Sequence, residues 1–175
     1  MHLVIDIGNT SAKIAVFSQG EMINVVRSSN QSLEGLDELC QQYPIKKGIW
    51  ASVISISKDI QQQLQQLPFP MTEFTYQTPI PIRNLYKTPQ TLGVDRLAAV
   101  IAAYTLKPHH PALVIDAGTC ITYDFIDEFG QYQGGNISPG MEMRFKALHE
   151  FTSKLPKIQA SGETPHYGNT TETAI

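Results

Sequence analysis

Cysteine is scarce in this chain of 175 residues. Cys40 and Cys120 are the only two, too few and too widely spaced for a disulfide framework or a zinc site. An excess of positive charge is missing as well: 13 Lys and Arg against 16 Asp and Glu leave a formal net charge of −3. No basic field is available to hold nucleic acid or an anionic membrane, so neither is expected as a partner and a small molecule is. Long apolar runs are lacking too, for stretches such as "LAAVIAAYTL" fall far short of the ~20 residues a membrane helix needs. The chain as read does not open with a basic region followed by an apolar signal stretch, and a reducing cytoplasm is the expected compartment. What is present is a 42% hydrophobic composition with mean hydropathy near zero. That supports a packed core rather than disorder, in one ordinary domain or two small ones.

The hydrophobic pattern alternates between strands and helices. Residues 3–7 and 12–17 read as strands separated by "GNTS", and "MINVVRS" follows a turn at Gly20 and Glu21, giving a three-stranded meander. "SLEGLDELCQQY" has Leu33, Leu36, Leu39 and Cys40 at helical spacing and stops at Pro44. "GIWASVIS" reads as a strand and "KDIQQQLQQL" as a short amphipathic helix. The proline-rich residues 77–91 read as loop or extended chain, "GVDRLAAVIAAYTL" as a strong helix, and "KPHHP" as a hinge. A second strand, a hairpin around Gly130, the run "GGNISPG" and a helix over 141–154 come next, with Met141, Met143 and Phe145 expected to face a core.

A repeat lies inside this order. An offset of 110 residues aligns Leu3, Val4, Ile5, Asp6 and Gly8 with Leu113, Val114, Ile115, Asp116 and Gly118, and Gly20 with Gly130. Two meander units, each continuing into a helix, imply a duplicated α/β architecture. The expected units are residues 1–110 and the start of a second unit over 111–175, whose later strands and helices are expected to be missing.

Each copy drives a greasy strand into an aspartate, which is costly unless the charge is used. One Asp-x-Gly is adequately read as a turn. Its recurrence at matching places favours a ligand: Gly8 allows close backbone approach, and the amides and hydroxyls of "GNTS" supply donors for phosphate. Asp6 repels phosphate but can hold a divalent cation that bridges to its oxygens. Asp116, Gly118 and Thr119 repeat the arrangement, so a nucleotide is expected between the two units. Neither a P-loop nor a dinucleotide fingerprint is present. At "TLGVDRLAA", Asp95 and Arg96 stand at a helix start. One reading is a carboxylate favoured by the helix dipole beside a solvated arginine. The other is a base that takes a proton from an attacking hydroxyl, next to a clamp for a substrate carboxylate.

Paired turns of this kind resemble the acetate kinase, sugar kinase, heat-shock protein 70 and actin superfamily, which implies two ribonuclease-H-like domains. The ordered set "DIGNTSAK", "GVDR", "DAGTCIT" and "GGNISPG" resembles one family within it closely, the type III pantothenate kinases. The resemblance implies ATP-dependent phosphorylation of pantothenate, the first step of coenzyme A synthesis, with Mg2+ accompanying ATP. It also implies that Asp6, Ile7, Gly8, Asn9, Thr10, Ser11, Ala12 and Lys13 form the ATP phosphate segment, with Thr119 adding a contact from the second unit. Asp95 takes the place of the general base, inside a pantothenate-binding segment of Gly93, Val94, Asp95 and Arg96. Tyr86 matches a substrate contact, although an ordinary loop aromatic accounts for it equally. Asp116 matches the position that holds a monovalent cation, potassium or ammonium. Thr171 matches a substrate threonine beside the partner's site in a homodimer, with the adjacent Thr170 leaving the register open. Two other readings remain: another phosphotransferase of the superfamily, or a non-catalytic accessory factor in gene regulation.

Overall fold

The computed structural model describes residues 1–160 and 165–175. The fold is mixed α/β with two sheets. The first contains β1 (His2–Ile7), β2 (Ala12–Ser18), β3 (Glu21–Ser28), β4 (Lys47–Ser52) and β5 (Met71–Glu73) in the order β3-β2-β1-β4-β5. Strands β1 to β3 form the expected antiparallel meander, while β4 lies parallel to β1 and β5 parallel to β4. The parallel pairings require crossovers, which α1 (Leu36–Gln42) and α2 (Lys58–Gln65) provide.

Because strand side chains alternate in direction, the odd residues of β1 share one face. Leu3, Ile5 and Ile7 pair with Val16, Ile14 and Ala12 on β2, and all six are buried against Leu36, Leu39, Ile60 and Leu64 of α1 and α2. Ser57 caps α2 by accepting a hydrogen bond from the Ile60 amide at 3.2 Å, which satisfies one donor that a helix start leaves open.

The second sheet has the order β6-β9-β8-β7, from β6 (Arg83–Asn84), β7 (Ala112–Ala117), β8 (Cys120–Ile126) and β9 (Gln131–Pro139). β7, β8 and β9 are again an antiparallel meander, and β6 joins parallel to β9. A two-residue strand thus emerges from a proline-rich stretch whose pattern indicated loop or extended chain. Prolines at 79, 81 and 89 hide so short a pairing in the sequence, and a neighbouring strand supplies its hydrogen bonds.

Between the two sheets runs α3 (Val94–Leu106). Leu97 and Val100 of this helix pack with Ile126, Tyr132, Ala112 and Val114 in a second core. Its other side approaches β4 and, with the even-numbered face of β1, encloses a cleft of about 680 Å³. α4 (Met141–Glu150) differs in part from expectation: it has no buried residue, Met141 and Met143 are exposed, and Phe145 is half-buried. α5 (Thr171–Ala174) closes the element order. No helix among the described residues is long and apolar enough to cross a membrane.

Candidate active site

The C-terminal ends of β1 and β7 converge on the cleft beside the start of α3. Asp6 and Asp116 are the next-to-last residues of β1 and β7, and Asp95 occupies the first turn of α3; all three line the same cavity. The turns that follow the two strands touch, with the Thr10 and Thr119 hydroxyls 3.1 Å apart. The repeat read from the sequence is therefore brought face to face.

Within the segment Asp6 to Lys13, the residues divide by exposure. Ile7 and Ala12 are fully buried and present only backbone, whereas Asn9 and Thr10 are exposed. The Gly8 amide donates to the Ser11 carbonyl at 3.0 Å and closes the turn. Asn30 braces it from outside, its amide donating to the Gly8 and Asn9 carbonyls at 3.0 and 2.9 Å. The sequence pattern gave no sign of Asn30, since it acts across 21 residues from a polar loop. Lys13 lies opposite Asp6 in the β1–β2 register and pairs with it at 3.5 Å. Both side chains are largely in water, so the pair contributes little to stability and leaves both charges free for a ligand.

Asp95 is half-buried, and one of its oxygens accepts the Arg96 amide at 2.8 Å. Burial pushes the carboxyl above its ordinary value, opposed by the Arg96 amide and reinforced by the negative charges of Asp6 and Asp116. A carboxylate held closer to neutral pH is a better proton acceptor. Gly93 precedes it because a Cβ there would run into the Asp95 carboxylate.

Arg96 turns the other way, into the second core. Its Nε donates to both Asp124 oxygens at 3.1 Å and its Nη2 to Oδ1 at 2.6 Å. The bidentate contact anticipated for a substrate carboxylate is thus made to a carboxylate of the protein. The Tyr132 hydroxyl donates to Asp124 Oδ1 at 2.6 Å and accepts from Arg96 Nη2 at 3.3 Å. Tyr86 completes the group, stacked on Tyr132 with centroids 6.1 Å apart and 5.7 Å from the guanidinium carbon. Hydrogen bonding to Asp124 raises the Arg96 pKa further above its ordinary value, against burial. Burial and Asp124 push the Tyr132 phenol up, so it stays protonated and donates. Gly135 lies opposite Asp124 in the β8–β9 register, where a Cβ would collide with the Tyr123 carbonyl and the Asp124 carboxylate. Sequence reasoning missed Asp124 and Tyr132. The available signal was an acidic residue two positions before Ile126 on the inward side of β8.

Two predicted residues lie apart from this group. Val94, the first residue of α3, is half-buried. Thr171 opens α5 on the surface, and among the described residues no hydrogen bond ties it to the cleft. Thr170 is occupied as the helix cap, accepting from the Thr173 amide at 3.2 Å, which leaves the Thr171 hydroxyl as the freer of the two.

Among the described residues no three His, Cys, Asp or Glu side chains come together as a metal cage. The donors present are separate carboxylates at strand ends. They fit a hard cation held by one carboxylate with the remaining ligands from phosphate and water, which is the usual mode for Mg2+ beside a nucleotide.

A family model described as type III pantothenate kinase matches residues 2–175. A type III pantothenate kinase of Phocaeicola vulgatus is 63% identical over the whole chain, which covers 72% of that relative. One from Bacteroides fragilis is 54% identical with the same coverage. Among solved structures, a protein described as a Baf family transcriptional activator from Campylobacter jejuni superimposes with a TM-score of 0.56 at 22% identity, over 98% of this chain and 70% of that one; the likeness concerns the fold. With residues of three of the four motifs lining one cleft and the match running over residues 2–175, the chain belongs to the type III pantothenate kinase family.

Proposed function

We propose that the protein transfers the γ-phosphoryl group of ATP to the hydroxyl of pantothenate, giving 4′-phosphopantothenate for coenzyme A synthesis. The observation that carries this reading is the convergence of Asp6, Asp95 and Asp116 on one cleft beside two touching turns. The first turn offers backbone amides and the hydroxyls of Thr10 and Ser11 to the phosphates, Lys13 adds a positive charge, and Thr119 meets the nucleotide from the facing sheet. Asp95 accepts the proton as the pantothenate oxygen bonds to the γ-phosphorus and the bond from that phosphorus to the ADP oxygen breaks. Arg96, with Gly93, Val94 and Tyr86 around it, orients pantothenate through its carboxylate.

Asp6 would hold Mg2+ and Asp116 a potassium or ammonium ion. When bound, these cations offset the negative charge of the phosphates and of the three carboxylates around them. The two sheets, each with an antiparallel meander entered from an aspartate-ended strand, are read as duplicated ribonuclease-H-like units. A homodimer is part of the proposal, with Thr171 reaching the partner's site. In its favour, Leu113, Ile115 and Phe125 form an exposed apolar face on the second sheet, and such faces mark interaction surfaces.

The test is ADP release from the purified protein with ATP and Mg2+, comparing pantothenate with acetate and sugars, in potassium and in sodium. Release that depends on pantothenate and rises in potassium is expected. Equal rates with every acceptor, or none with pantothenate, would overturn the assignment.

A further inference from the structure

Arg96 carries five N–H donors in a rigid plane, and the protein uses them unequally. Nε and Nη2 along one edge are committed to Asp124 and Tyr132. Tyr86 lies against the same guanidinium, 5.7 Å from ring centroid to its carbon, and its side chain adds to Asp124's hydrogen bonding in raising the Arg96 pKa. The group is thus held by Asp124, Tyr132 and Tyr86 before any ligand arrives. Asp124 is 1% exposed, among the described residues its ion pair is with Arg96, and Tyr132 and Gly135 shape the space around it.

As a stability device this is a poor choice, because a buried ion pair is often no better than apolar side chains of the same volume. As a positioning device it makes sense. An arginine ordered before its ligand arrives does not lose its side-chain freedom on binding.

We infer that Asp124 is a positioning residue for substrate recognition: with Tyr132 it pins one edge of Arg96 and so fixes the orientation in which the guanidinium meets the substrate carboxylate. The inference rests on the pantothenate reading above, which supplies that carboxylate. It makes Asp124 and Tyr132 determinants of pantothenate affinity through Arg96, without a contact of their own to pantothenate.

The experiment is steady-state kinetics on Asp124→Asn, Tyr132→Phe and Arg96→Lys, and on each of the first two combined with Arg96→Lys. Asp124→Asn keeps the shape and removes the charge. Losing a charge-assisted bond of this kind should raise the KM for pantothenate about tenfold or more, with the KM for ATP unchanged. Tyr132→Phe keeps the stack on Tyr86 and loses one hydroxyl, for a rise of about threefold. If both residues act through Arg96, neither change adds its full effect in the Arg96→Lys background.

Unchanged pantothenate KM in both single variants overturns the inference. So does full additivity with Arg96→Lys, or an equal rise in the KM for ATP, which would mark a structural role only. Should Asp124→Asn fail to fold, Tyr132→Phe and its combination with Arg96→Lys decide the matter alone. Wild-type protein that leaves pantothenate unphosphorylated would sink the underlying reading instead, whereas an active wild type with unaffected variants sinks only this inference.

Discussion

The two sheets start from nearly the same sentence of sequence and are stabilised in different ways. The first is packed against α1 and α2 around an aliphatic centre, with Leu3, Ile7, Ile14, Val16 and Leu36 completely inaccessible and Tyr43, Trp50 and Phe69 at its margin. The second places an arginine and an aspartate at the centre of its covered face and leaves Leu113 and Ile115 on the other face open. Their turns differ too. Four residues, 8–11, separate β1 from β2, but only two, 118 and 119, separate β7 from β8. The longer turn has room for the donors of "GNTS", and the shorter one contributes a single hydroxyl at Thr119. The repeated pattern lays down a common frame of strand, turn and strand in each sheet. On the proposed function, the first half serves as scaffold and phosphate cradle, and the second, with α3, places the acidic and basic groups that meet the acceptor.

This contrast can be broken at either end. The largest effect is expected from Asp95→Asn, which removes the proton acceptor: turnover should fall by about two orders of magnitude or more, while ATP binding measured by calorimetry survives. An Asn variant that turns over normally would move the base elsewhere.

Next comes the aliphatic core. Leu36→Ala should cost about 3 kcal/mol, lowering Tm by roughly 10 °C, with little change in KM for either substrate in the remaining folded protein. A large loss of pantothenate affinity without a fall in Tm would erase the division between scaffold and site.

Asn30→Ala tests the brace on the longer turn. Two hydrogen bonds to backbone carbonyls are lost, each worth about 1 kcal/mol, so the KM for ATP should rise several-fold with that for pantothenate unmoved.

The smallest effects concern pH. The pKa of Asp95 lies above its ordinary value of 3.8, chiefly through burial, so its ionised form is less stable folded than unfolded. The acid limb of kcat/KM should accordingly lie above the ordinary carboxylate range. Ionised Asp95 costs stability at neutral pH, and that cost disappears as pH falls through the raised folded value and is gone below the unfolded one. Asp95→Asn should therefore raise Tm at pH 7 and make no difference at pH 3. A limb at or below 3.8, or a Tm lowered at pH 7, would show that the carboxylate is not destabilised by its surroundings.

Much of this was legible from residue order. The alternation in β1 and β2, the 110-residue repeat, the Ser57-capped α2 and the alanine-rich α3 are local patterns, fixed by backbone sterics and by the need to bury every second or every third to fourth side chain. The motifs "DIGNTS", "GVDR" and "DAGT" stood out for the same reason, since glycine next to Asp or Thr is a pattern complete within a few residues, and residues of all three meet at one cleft. The two-residue β6 was not legible, because its pairing is decided by β9. The exposure of Met141 and Met143 on α4 was not legible either, because an apolar residue on a helix reads as core whatever packs against it in space.

The sequence by itself singled out the candidate groups, since Asp6, Asp95, Arg96, Asp116 and Thr119 all stand in short motifs whose composition is costly without a use. Only the tertiary structure decided which of those groups meet and which turn away from one another. Whether Arg96 faces solvent or the core depends on a partner 28 positions away, and whether Thr10 meets Thr119 depends on contact across 109. Charge and hydrogen-bond geometry act over a few ångströms of space and take no account of separation along the chain, so they are settled only when the two sheets close on α3.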